Sequence, residues 1–120
     1  MKYLVTDDSK LARRVLMKAL LPYTDEQHIY QASNGLEALQ QTLKERPDIV
    51  FLDLTMPEMD GYTALPKLLK IKPDIKVVVI SADVQEQAKE KVLALGAKFH
   101  IAKPINSEKL KEILESLQNE

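Results

Sequence analysis

Two uninterrupted apolar runs, Ile49-Val50-Phe51-Leu52 and Val77-Val78-Val79-Ile80, decide the architecture this chain can adopt. A strand with no polar alternation is apolar on both faces, and both must be covered, as happens in a parallel sheet flanked by helices. The rest of the chain repeats one pattern, a short apolar run followed by a stretch of helical period. Leu4-Val5-Thr6 reads as a strand, and Leu11, Val15, Leu16, Ala19 and Leu20 then recur at helical spacing up to Pro22. His28 to Ala32 predicts a second strand, with Asn34-Gly35 as a turn or helix entry and Leu36, Leu39 and Leu43 marking a helix that ends before Pro47. Gly61 to Ile71 reads as a helix that Pro66 should distort or shorten. Val84 to Leu95 places Ala88, Val92 and Leu95 on one helical face with Gly96 as C-cap, and Lys98 to Ala102 predicts a fifth strand. Ser107 is expected to cap a last helix, Glu108 to Leu117. Five such repeats predict an α/β fold, a doubly wound parallel sheet with helices on both faces, because parallel crossovers are right-handed and need helices.

Polar groups stand where these strands end. Asp7 and Asp8 follow the first run, Asp53 the third, Ser81 the fourth, and Lys103 with Pro104 the fifth. Each has a structural explanation by itself: a post-strand Asp forms turns or caps a helix, a Ser hydroxyl caps, and a lysine is ordinarily a solvated charge. Ligands of open parallel sheets, however, bind at the C-terminal edge of the strands, at the switch in strand order. Five such residues on one edge outweigh five separate coincidences.

The remaining composition mainly excludes. With 120 residues, 45% of them hydrophobic and 29% charged, the chain fits one folded unit spanning 1–120, without a disordered tail. It has no cysteine, which removes disulfides, thiol catalysis and thiolate metal sites. The opening Met-Lys-Tyr-Leu-Val-Thr-Asp-Asp meets acid before a signal-peptide apolar region can develop. No run approaches the roughly 20 residues of a membrane span, so a soluble, cytoplasmic protein is expected. A formal net charge of −1 with both signs interspersed gives no basic surface for nucleic acid or anionic lipid. His28 and His100 form no recognisable metal-ligand pair.

Three carboxylates, a hydroxyl and an ammonium suit one chemistry well. Hard oxygen donors take Mg²⁺, which keeps waters that a phosphate oxygen can replace. Asp53 is then placed to attack a phosphoryl donor and become an aspartyl phosphate, with Ser81 and Lys103 orienting and neutralising the phosphoryl oxygens. Without a cation the three carboxylates repel and raise one another's pKa, so Mg²⁺ binding should depend on pH.

In the order and spacing of these residues the whole chain resembles the receiver domain of two-component response regulators, and specifically its stand-alone chemotaxis (CheY-like) members. The resemblance rests on Asp7-Asp8, on Asp53 with Met56-Pro57-Glu58-Met59-Asp60-Gly61, on Ser81-Ala82, and on Gly96-Ala97 leading to Lys103-Pro104. It implies the flavodoxin-like strand order 2-1-3-4-5. It implies Asp53 as phosphoacceptor, Asp7 and Asp8 with the backbone carbonyl of Thr55 as Mg²⁺ ligands, Ser81 and Lys103 as phosphoryl contacts, and a cis bond before Pro104.

Family members couple the Ser81-type hydroxyl to an aromatic residue of the fifth strand, usually Tyr or Phe. Here His100 stands at that position and Phe99 faces the other side. His100 is either a planar substitute, an exposed strand residue, or a smaller titratable rotor that makes activation depend on pH near neutrality. Thr55 and Asp83 lie two residues beyond Asp53 and Ser81, where the family's side chains flank the water that attacks the phosphate. Lys10, Arg13, Arg14 and Lys18 make one side of the first helix basic, a solvated face or a docking face for the kinase.

With no residues expected for an output domain after Leu117, the resemblance implies signalling by binding through the region from Val84 to Leu117. It implies a sensor histidine kinase as donor, a target such as the flagellar motor switch, room for a phosphatase, and a monomer that is not a turnover enzyme. The alternative is a phosphorelay intermediate that passes its phosphoryl group to a histidine of another protein. A haloacid-dehalogenase-type phosphatase would need a second acid in an Asp-x-Asp motif, where this chain has Asp53-Leu54-Thr55. Flavin binding is disfavoured because Asp7-Asp8-Ser9 would repel the flavin phosphate.

Overall fold

The computed structural model describes residues 1–119. Among them, five parallel strands form one sheet: β1 (Tyr3–Thr6), β2 (Ile29–Ala32), β3 (Ile49–Leu52), β4 (Lys76–Ser81) and β5 (Phe99–Ala102). They lie in the order β2-β1-β3-β4-β5. Five helices alternate with them: α1 (Lys10–Leu20), α2 (Gly35–Glu45), α3 (Gly61–Ile71), α4 (Glu86–Ala94) and α5 (Ser107–Gln118). The doubly wound α/β reading and the 2-1-3-4-5 order both hold.

Strand pleating splits the core in two. Leu4, Val50, Leu52, Val77 and Val79 point to one face, where they meet Ala38 of α2, Leu65 and Leu68 of α3 and Val92 of α4. Tyr3, Val5, Ile49, Phe51, Val78 and Ile80 point to the other, where Leu16 and Leu20 of α1 and Leu110, Ile113, Leu114 and Leu117 of α5 cover them. Each large apolar side chain buried this way stabilises the fold by about 1.5–3 kcal/mol.

The helix faces depart from the expected ones. In α1 the packed residues are Leu16 and Leu20, while Leu11 and Val15 are 72% and 52% exposed. In α2 Leu36 and Leu43 are exposed, and the buried residues are Gly35, Ala38 and Thr42. Close approach explains this: a Cβ on Gly35 would meet the Met59 carbonyl oxygen at 2.6 Å, so small side chains face inward there, Leu36 and Leu43 stay outside, and Leu39 packs at the edge of the core.

Ends also move. His28 belongs to a 3₁₀ turn (Glu26–His28) before β2, and α4 starts at Glu86, two residues after Val84. Asn106, not Ser107, caps α5, accepting from the Lys109 N–H at 2.7 Å. Pro66 sits inside α3 without breaking it, and its ring is exposed. Gly96 takes a φ of 113°, as a C-terminal cap in the left-handed region requires.

Candidate functional site

The site is built at the reversal of strand order. Sheet growth turns from β2 on one side of β1 to β3 on the other, and Thr6 of β1 is paired with Leu52 of β3. Asp7 and Asp53 are the next residues of these two strands. Backbone bonds extend the pairing past the strand ends: the Asp7 N–H donates to Ala32 at 3.1 Å and the Asp53 N–H to Thr6 at 3.0 Å. Both aspartates are buried, and Asp8 is exposed at the rim. One carboxylate oxygen from each of Asp7, Asp8 and Asp53 lies within 4.8 Å of the other two.

Lys103 arrives from the far side. β5 pairs with β4 through Ala102 and Ser81, the Lys103 N–H donates to the Ser81 carbonyl at 2.9 Å, and the Lys103-Pro104 bond is cis. Its ammonium lies 2.6 Å from Asp7 Oδ2 and 3.2 Å from Asp53 Oδ2. It is therefore not a solvated surface charge. Asp53 Oδ1 accepts from the Leu54 N–H at 2.9 Å, so both oxygens of Asp53 are oriented.

The charges do not balance. Burial first, and then the Asp7 carboxylate, push the Asp53 pKa above the usual carboxylate value, against the lowering effect of Lys103 and the Leu54 N–H. Burial alone would lower Lys103, but its bonds and attraction to Asp7 and Asp53 outweigh that and hold the ammonium above its ordinary value. One ammonium against three carboxylates leaves room for more positive charge. An all-oxygen acidic set with surplus negative charge fits a hard divalent cation such as Mg²⁺.

Two glycines hold the loop after β3. The Gly61 N–H donates to the Leu54 carbonyl at 2.9 Å, and the Gly35 N–H donates to the Met59 carbonyl at 2.8 Å. A Cβ on Gly61 would collide with the carbonyl oxygen of Asp53 itself. Thr55 is exposed in this loop. Asp60-Gly61, the N-cap and first residue of α3, was the sequence signal for this support, and it was read there only as a helix start and part of a family motif.

Ser81 is buried, and its Oγ accepts from the Asp83 N–H at 3.0 Å. Ser81 thus closes the turn after β4 and does not cap α4, whose N-cap is Gln85. Asp83 Oδ1 in turn accepts from the Gln85 N–H at 3.0 Å. His100 sits opposite Val79 on β5, half-buried, with Nε2 buried and without a hydrogen-bond partner. Phe99 and Ile101 pack on the other face, as the strand alternation requires.

Arg13 was grouped with the basic face of α1, and the structure separates it. Its Nη1 donates to the Asp7 backbone carbonyl at 2.7 Å and its Nε to Gln31 Oε1 at 2.9 Å, whereas Lys10, Arg14 and Lys18 are exposed. A cavity of about 270 Å³ runs from Asp53 and Lys103 between α1 and the segment after β5, past Leu11, Val15, Pro104 and Ile105.

A parallel sheet of this order, with an acidic trio at its switch point and a lysine leaning in from the fifth strand, is the architecture of a signalling receiver domain. The chain belongs to the response regulator receiver domain family, whose model matches residues 3–115. It is 37% identical over 115 residues to the chemotaxis protein CheY of Listeria monocytogenes, covering 96% of each chain. It is 34% identical over 113 residues to CheY of Thermotoga maritima, covering 94% of this chain and 93% of that one. Among solved structures it is similar to the CheX-CheY-BeF3-Mg²⁺ complex of Borrelia burgdorferi, with a TM-score of 0.89 and 31% identity, covering 98% of this chain and 89% of that one.

Proposed function

We propose that residues 1–120 act as one receiver unit that accepts a phosphoryl group on Asp53 from a histidine kinase and signals by binding a downstream protein. The observation that carries this is the convergence of Asp7, Asp8 and Asp53 within 4.8 Å, with the Lys103 ammonium bridging two of them.

Asp7, Asp8, Asp53 and the backbone carbonyl of Thr55 would hold Mg²⁺, which supplies charge neutralisation to the phosphoryl oxygens. Asp53 is the nucleophile. One of its oxygens forms a bond to phosphorus as the donor's P–N bond breaks, and the electron pair leaves on the donor imidazole nitrogen. Lys103 releases its hold on the Asp53 carboxylate and turns its charge to the phosphoryl group, which needs little movement from 3.2 Å. Ser81 trades its bond from the Asp83 N–H for a phosphoryl oxygen. The exchange alters the turn before α4, since Asp83 also holds Gln85.

His100 is the switch residue on this reading, and its buried Nε2 has no hydrogen-bond partner to give up when Ser81 moves. Thr55 and Asp83 flank the path of the water that hydrolyses the acyl phosphate and set its lifetime. The surface of α4, β5 and α5 delivers the signal to a partner such as a flagellar motor switch protein, in keeping with the CheY relatives, and a phosphatase ends it. The chain is a monomer that turns over nothing but its own phosphoryl group. It works in the cytoplasm without nucleic acid; no helix among the described residues is long and apolar enough to cross a membrane.

Incubation with acetyl phosphate and Mg²⁺ followed by intact-mass measurement tests this. A labile, Mg²⁺-dependent adduct is expected on the wild type and not on Asp53→Ala. No adduct on wild type that binds Mg²⁺ would overturn the acceptor role. Onward transfer of the group to a histidine protein would replace binding with relay as the output.

A further inference from the structure

Asp7 is held at each of its polar groups. Its N–H donates to Ala32 at 3.1 Å, its Oδ1 accepts from the Ser9 N–H at 2.9 Å, and its Oδ2 faces Lys103 at 2.6 Å. The remaining group is the backbone carbonyl, which accepts from Arg13 Nη1 at 2.7 Å. The same guanidinium donates through Nε to Gln31 Oε1 at 2.9 Å. Arg13 therefore reaches from α1 over the β1–α1 turn to β2, and is anchored at both ends.

The carbonyl it grips belongs to the peptide joining Asp7 to Asp8. A peptide unit is planar, so holding its oxygen restrains the Asp8 N–H and Cα that share its plane, while the bond from the Asp7 N–H to Ala32 holds the preceding unit. Asp8 is exposed at the rim, and that plane sets where its Cα starts from.

We propose that Arg13 is a positioning residue for the divalent cation site: gripping the Asp7 carbonyl while braced on Gln31, it sets the Asp7–Asp8 peptide plane and thereby aims Asp8. The proposal rests on the reading of the acidic cluster as a cation site. Lysine cannot do the same. The guanidinium is a planar fork that serves two acceptors at a fixed angle, while an ammonium on a flexible stem serves them one at a time and loosely. A purely structural Arg13 would tie α1 to β2 and nothing more. Both roles lower thermal stability when removed, and only the positioning role alters cation affinity.

Arg13→Lys makes the test because it keeps the charge, leaving the cluster's electrostatic attraction for a cation unchanged and removing only the two-point hold. Gln31→Leu removes the brace alone, at a residue that does not touch the carboxylates. Mg²⁺ is titrated into each full-length chain by calorimetry, beside thermal unfolding and the amide resonances of Asp8 and Ser9. The Mg²⁺ Kd is expected to rise about tenfold in Arg13→Lys, the lower end of the loss typical when a partner behind a metal ligand is removed. Gln31→Leu should move it the same way by less, and the Asp8 and Ser9 amides should shift before any metal is added. Folded variants whose Kd stays within about twofold of wild type would overturn the proposal while leaving the cation site standing. Wild type that binds no Mg²⁺ would overturn the cation reading and this proposal with it. If Arg13→Lys fails to fold, Gln31→Leu decides.

Discussion

Lys103 and Asp7 meet at 2.6 Å, through the carboxylate that on the proposed mechanism also faces a divalent cation. The ammonium and the metal therefore compete for it. Removing one partner of a buried pair leaves the other charge uncompensated, which costs about 3–5 kcal/mol when burial is complete. The Lys103 side chain keeps 29% of its exposure, so solvent screening reduces the cost. Lys103→Met is expected to lose about 1–2 kcal/mol of stability without metal, to bind Mg²⁺ more tightly than wild type, and to regain most of the lost stability when Mg²⁺ is added. Its phosphorylation by acetyl phosphate should nevertheless slow. Thermal unfolding with and without Mg²⁺ checks the first part; weaker Mg²⁺ binding would show that Lys103 organises the carboxylates instead of competing for them.

Asp53 carries a second consequence. Its folded pKa is raised, by burial and by Asp7, above that of an unfolded Asp near 3.9. Between the two values the native state holds a proton that the unfolded state has lost, so metal-free stability falls as pH rises through that window. Above the folded value the whole penalty applies. Asp53→Asn removes it and still offers an oxygen to the Leu54 N–H. At neutral pH without metal the variant is expected to be more stable and to have a higher Tm than wild type, and the gain should vanish below the pKa of an unfolded Asp. Equal stability of the two proteins at neutral pH would mean that Lys103 already compensates the cluster.

Particular residues show which features the sequence could disclose. β3 and β4 were legible because short apolar runs rich in Val and Ile favour a strand covered on both faces over a buried helix. The convergence of Asp7, Asp53, Ser81 and Lys103 followed, because strand ends in a parallel sheet share an edge. The order of the strands did not come from periodicity and rested on a family resemblance. The buried face of α2 was misjudged because Leu36 and Leu43 outweigh Gly35, Ala38 and Thr42 on any hydrophobicity scale, while the tight approach to Met59 selects for size. Arg13 was unreadable for another reason. Its partners, the Asp7 carbonyl and Gln31, become neighbours only once β1 and β2 are paired, and a run of basic residues on one helix gives no hint that one of them turns inward.

Gly61 shows how close that packing comes to the site. Its N–H bonds the Leu54 carbonyl at 2.9 Å, and a Cβ there would collide with the Asp53 carbonyl and lie 2.9 Å from the Leu54 Cα. All of these are backbone atoms, which cannot rotate away. Gly61→Ala is expected to cost about 3 kcal/mol and to weaken Mg²⁺ binding, since the displaced atoms belong to the phosphoacceptor residue and the one after it. Chemical unfolding and Mg²⁺ titration measure the two effects; a stable variant with wild-type Mg²⁺ affinity would show that the loop after β3 yields without disturbing Asp53.

The capping of α5 gives a test that should leave the site untouched. Asn106 has extended backbone angles, φ −95° and ψ 167°, and its Oδ1 accepts from the Lys109 N–H at 2.7 Å; Ser107 is the first helical residue. The helix that begins there buries Leu110, Ile113, Leu114 and Leu117 against the sheet, so its first turn anchors one side of the core. Losing an Asn cap to alanine costs about 1 kcal/mol. At Ser107 an alanine loses no cap and gains helix propensity, and the change should stay within about 0.5 kcal/mol. Asn106→Ala should therefore lower the Tm by roughly 4 °C while Ser107→Ala leaves it nearly unchanged, and both should take up the phosphoryl group like wild type. The reverse ranking would place the cap at Ser107, one residue later than the backbone angles and the 2.7 Å bond put it.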